Sequence, residues 1–126
     1  MEIRLRLAEE DPEEYEPDLA YALHKLAYTQ YMTDDYDSSA MNYEKALKIR
    51  RRLAEEDPEE YEENLASTLR NYGNLEADIE GEEQKALELY REALEIYERL
   101  DEDDPGYYED EINEVKESIE EVENEL

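Results

Sequence analysis

The chain has 126 residues, 41 of them Asp or Glu against 13 Lys or Arg, for a formal charge of −28 at pH 7. That balance reverses the phosphate attraction on which generic binding to DNA, RNA or an anionic membrane depends, so it excludes those partners and favours a basic or neutral protein or peptide. Cysteine is absent, which excludes disulfides, thiolate metal sites and a Cys nucleophile, and the longest apolar run, Leu19 to Leu23, is too short to cross a bilayer.

Taken in chain order, Met1 to Glu10 reads as a helix at 1–10 that forms part of a repeat, because Ile3 to Ala20 recur at Ile49 to Ala66. The two copies differ only at Leu5/Arg51, Pro17/Glu63 and Asp18/Asn64. Recurrence at 46 residues is the signature of stacked helical hairpins. A looser third copy, Arg99 to Ile112, is offset by 47. Three Asp-Pro pairs, Asp11-Pro12, Asp57-Pro58 and Asp104-Pro105, punctuate the repeat. Asp accepts from the free amides of a new helix and Pro fits its first turn, so each pair is expected to end one helix and start the next. Pro17 is expected to break a helix already under way, leaving a short turn from Pro12 to Tyr15 before a helix at 17–33.

Further helices are expected at 36–56, 60–79, 82–102 and 107–126, with breaks at Thr33 to Asp37 and at Glu80 to Glu83, where Gly81 tolerates positive φ. The hairpins then span 17–56 and 60–102. The last helix carries Ile112, Val115, Ile119, Val122 and Leu126 as one apolar stripe, as a helix capping the end of a stack would. The expected architecture is a single all-α domain over 1–126, an α-solenoid of antiparallel hairpins with a C-terminal capping helix. High acidity would also fit disorder, but Leu, Ile, Ala and Tyr keep helical spacing throughout. The N-terminus lacks the apolar core of a signal peptide, so a soluble, cytoplasmic protein is expected. Starting midway through a repeat suggests an array cut from a longer one or deliberately shortened, whose N-terminal face pairs with a second copy.

Residues Leu26 and Ala27, the turn Asp34-Asp35-Tyr36, and Ser39, Tyr43 and Ala46 resemble the long form of the tetratricopeptide repeat family. Tyr72, Gly73, Gly81, Ala86, Tyr90 and Ala93 repeat the pattern, and the resemblance covers about 17–102. Asp34 stands where that family has Gly, Gln30 where it has an aromatic, and one residue is inserted between Gly73 and Gly81. Independently of the family, Ala27, Gly73, Ser39, Ala46, Ala86 and Ala93 are small enough to let helices approach closely.

The resemblance implies a concave groove lined by the first helix of each hairpin: Tyr21, His24, Tyr28, Tyr31 and Met32 in one, and Ser67, Arg70, Asn74, Ala77 and Asp78 in the next. The first set also stands out by spacing, as a second apolar stripe beside Leu19, Leu23, Leu26 and Ala27. Such rings either pack against the next hairpin or face a ligand, to which tyrosine offers large area with a polar tip. The function expected is a scaffold that receives a peptide segment of another protein. Its alternative is an engineered or excised repeat module without a native ligand, favoured by copied surface charges and by the absence of Phe, Trp and Cys.

No enzyme, cofactor or metal site is expected. A single His, no Cys and no phosphate-binding Gly-rich loop assemble no acid, base and nucleophile. Asp101 to Gly106 has the acidity of a calcium loop, but Pro105 falls at a ligand position and Ile112 stands where the bidentate Glu is required. Arg50, Arg51 and Arg52 form the one basic run and are expected to pair on the helix surface with Glu55 and Glu56.

Overall fold

The computed structural model describes residues 12–126, with side chains from Tyr15 onward, so the expected helix at 1–10 lies outside the described residues. Five helices account for most of these residues, with no strand among them: α1 (Pro12–Met32), α2 (Tyr36–Glu56), α3 (Pro58–Ala77), α4 (Glu83–Asp103) and α5 (Glu109–Glu125). The all-α expectation holds. The chain divides into two compact units between Tyr61 and Glu62.

Helix boundaries follow local hydrogen bonding. Asp57 ends α2 through its N–H to the Leu53 carbonyl at 2.9 Å and opens α3 by accepting the Glu60 N–H at its side chain, 3.4 Å. Pro58 then occupies the first helical position, where no donor is missed. Pro17, by contrast, does not break a helix: α1 starts at Pro12 and carries Pro17 inside it. The expected turn at 12–15 is corrected accordingly. A proline this near the start removes one i→i−4 bond, and α1 keeps the start that the second copy has at Pro58.

In the first unit α1 and α2 pack as an antiparallel pair joined by a tight turn. The Asp35 N–H reaches back to the Gln30 carbonyl at 2.8 Å and the Asp34 N–H to that of Tyr31 at 3.1 Å, the paired bonds of a Schellman cap. That cap needs a left-handed residue, and Asp34 supplies it at φ +66°. Asp is one of the few side chains besides Gly that visit this region. Leu19 and Leu23 pack against Ala46, with Tyr15 and Ile49 alongside. Close approach is fixed by Ser39, whose buried hydroxyl donates to the Ala27 carbonyl at 2.6 Å.

In the second unit α3 meets α4 at Gly73, where the Tyr90 ring lies so close that a Cβ would stand 2.9 Å from two ring carbons. The Tyr90 hydroxyl donates to Asn74 Oδ1 at 2.5 Å, which locks the ring in place. α5 packs on α4 through buried Val115 and Val122, with Ile112 and Ile119 half-buried; Leu126 lies beyond the helix and is exposed, so it is not part of the stripe.

The third Asp-Pro pair behaves unlike the second. α4 runs on to Asp103, and α5 begins at Glu109 instead of 107. Between them Gly106 takes φ +89°, and Asp101 Oδ1 accepts the N–H groups of Gly106 and Tyr108, each at 3.1 Å. A left-handed residue directly after Pro105 prevents a helix from continuing there. α3 likewise ends at Ala77, short of the expected 79, ahead of the turn around Gly81 at φ +91°.

Candidate functional site

The tyrosine stripe of α1 sits at helical spacing beside the core stripe. Tyr21 and Tyr28 are 54% and 48% exposed and Met32 62%, whereas His24 and Tyr31 are half-buried. Three of its four rings have a neighbour within the unit. The His24 ring meets Tyr43 edge-on at 5.5 Å between centroids, Tyr31 tilts against Tyr36 at 5.7 Å, and the Lys25 ammonium lies 5.4 Å from the centre of the Tyr21 ring. Buried Tyr43 thus forms a floor under His24, and its phenol is pushed well above the ordinary range by burial, with Tyr28 adding to the shift.

Arg50 is the residue that sequence reasoning misplaced. Three consecutive arginines on a helix point in three directions about 100° apart, so they cannot share one surface. Arg51 and Arg52 are exposed, and Arg52 pairs with Glu16 of α1, not with Glu55 or Glu56. Arg50 is only 7% exposed and its Nη1 donates to His24 Nδ1 at 3.3 Å. Because guanidinium only donates, Nδ1 is the acceptor. Burial pushes the Arg50 guanidinium down to about 10, with Tyr21 opposing. A cation therefore underlies the tyrosine stripe at His24.

The second expected set lies on α3 in the other unit. Ser67, Arg70, Asn74 and Ala77 are half-buried and Asp78 is exposed. Arg70 Nη1 stands 3.5 Å from a Glu114 carboxylate of α5, and Asn74 holds Tyr90 as described. These two polar groups are thus engaged by α5 and α4.

The same unit holds a polar cluster that the sequence did not announce. Glu76, 3% exposed, lies 3.7 Å from Lys85 Nζ, which also donates to the Tyr72 hydroxyl at 2.7 Å and sits 4.9 Å from the centre of the Tyr72 ring. Burial raises the Glu76 carboxyl above the usual range, with Lys85 pulling the other way. Leu65, Leu69, Tyr72 and Glu76 follow one another at four, three and four residues, so spacing alone would have placed Glu76 on the core stripe.

Among the described residues no group of three or more His, Cys, Asp or Glu is placed to hold a metal ion, and no helix is long and apolar enough to cross a membrane. Comparison with protein-family models, with curated proteins and with solved structures finds no match.

Proposed function

We propose that the protein is a tetratricopeptide-like helical-repeat scaffold that receives an extended, basic or neutral peptide segment of a partner on the tyrosine face of α1. The observation that carries this reading is the exposure of Tyr21, Tyr28 and Met32 on one face of a helix whose opposite side, Leu19, Leu23 and Ala27, is already buried. A monomeric helix gains nothing by holding three large apolar side chains in water, whereas covering each would contribute about 1–3 kcal/mol to binding. Rings already oriented by Lys25, Tyr36 and Tyr43 lose little freedom when a partner covers them.

Selection of a displayed random-peptide library on the immobilised protein tests the reading. Enriched sequences should pair Lys or Arg with apolar residues, and Tyr28→Ala should weaken a selected peptide by tenfold or more while the unfolding midpoint stays unchanged. A library that yields no enriched sequence, or a Tyr28→Ala chain that loses folding and binding together, would reject it.

A second reading is a designed or recently duplicated module with no native ligand. Its support is the copying of side chains that make no packing demand, such as exposed Glu59 and Glu60, the counterparts of Glu13 and Glu14. That reading expects selection to return no sequence dependent on Tyr28.

A further inference from the structure

The described part of this strongly acidic chain gathers three of its cations around one apolar groove. Between α1 and α2, a hollow of about 360 Å³ is floored by Leu19, Leu23 and Ile49 and rimmed by Lys45, Lys48 and Arg52. The rim is built into the helix: Lys45, Lys48, Ile49 and Arg52 stand at i, i+3, i+4 and i+7 of α2, one face of two helical turns. Lys45 and Lys48 are exposed and form no ion pair with any described residue, while Arg52 is anchored by Glu16.

We infer that this groove docks a separate protein partner through an acidic amphipathic helix, whose apolar stripe covers Leu19, Leu23 and Ile49 while its carboxylates meet Lys45, Lys48 and Arg52. Charge complementarity selects the occupant. A basic helix would bring like charge onto the rim, and a wholly apolar one would leave both ammonium groups without counter-charge in a partly desolvated contact. Docked carboxylates would lie nearest to the Lys45 and Lys48 ammonium groups, and charges beyond a Debye length are screened, so the rim acts on them even though the molecule as a whole is negative. The chain's own α5 has the right composition, but its Val115 and Val122 are already buried in the second unit. A partner of different sequence is therefore the better occupant. The site is independent of the tyrosine stripe, since Lys45, Lys48 and Ile49 belong to α2 and none of them lies on that face of α1.

Fluorescence polarisation with a labelled synthetic helix, Leu-Glu-Glu-Leu-Leu-Glu-Glu repeated three times, tests the inference on the full chain. Saturable binding is expected, weakened at least about tenfold by Lys45→Glu with Lys48→Glu. The same charge change made in the second unit, Arg91→Glu with Lys116→Glu, should weaken it less than about threefold, and the circular dichroism of both double variants should match the parent because all four side chains are exposed. The same peptide with Lys in place of Glu should not bind at this groove. Absence of saturable binding, or equal weakening by both double variants, would overturn the inference. So would a parent chain that sediments as a dimer and becomes a monomer on Lys45→Glu with Lys48→Glu, since a second copy would then be the occupant.

Discussion

Gly73→Ala probes how tightly α3 and α4 are held together, because helix propensity and packing push in opposite directions there. Alanine is the better helix former by about 1 kcal/mol in a helix interior. Its Cβ, however, would stand 2.9 Å from Cδ1 and Cε1 of Tyr90, where carbon pairs are comfortable at about 3.5–4.0 Å. The ring cannot swing aside: Tyr90 is 2% exposed and its hydroxyl is fixed on Asn74 at 2.5 Å. Overpacking of this kind costs about 1–3 kcal/mol, which cancels the propensity gain and leaves a net loss of up to about 2 kcal/mol. Urea unfolding followed by far-ultraviolet circular dichroism reads the difference. In a Tyr90→Leu background the obstructing ring is gone, and the same alanine should turn neutral or stabilising. A Gly73→Ala chain more stable than the parent, with Tyr90 intact, would show that the close approach does not exist in solution.

Asp34→Gly should stabilise the first unit by about 0.5–1 kcal/mol, because glycine takes the left-handed position of the Schellman cap without the steric cost that a Cβ carries; a lowered melting temperature would contradict the cap. Glu76→Gln should raise the melting temperature at neutral pH. Burial lifts the folded-state pKa of Glu76 above its unfolded value, so its contribution is most favourable at low pH and is lost as pH rises through the folded pKa. The advantage of the variant should accordingly shrink as pH falls below the glutamate range, and a difference independent of pH would refute the role assigned to its charge.

The helical class was legible because Leu, Ala and Tyr recur at three- and four-residue steps, a pattern that strands and coil do not keep. Asp57-Pro58 could be read as a boundary because both residues act on their immediate neighbours, and the hydrogen bonds of Asp57 are the ones its chemistry demands. Asp104-Pro105 misled for an equally local reason: Gly106 follows it at φ +89°, and the Pro-Gly pair was the available turn signal. Pro17 was misread because the rule against internal proline weighs one lost bond and ignores the rest of a helix of 21 residues.

At the candidate site, the second stripe marked Tyr21 and Tyr28 but left packing and exposure as alternatives, and nothing in the run Arg50 to Arg52 announced which arginine turns inward. That choice is made by the pairing of α1 with α2, which brings His24 to Arg50 across 26 residues of sequence. Glu76 was hidden by its identity, since an acidic residue at a core position is stabilised only by contacts such as Lys85 that the sequence does not display.

Tyrosine is the only large aromatic in the chain, and several of its twelve copies are sealed inside. Burial lifts the phenols of Tyr43 in one unit and of Tyr90, to about 12, and Tyr97 in the other. Below the ordinary tyrosine range these groups favour the native state in full, and the benefit drains away as hydroxide draws their protons. Strong base is thus a natural denaturant for this polypeptide, and with no tryptophan to obscure it the ultraviolet band of phenolate would record unravelling from within.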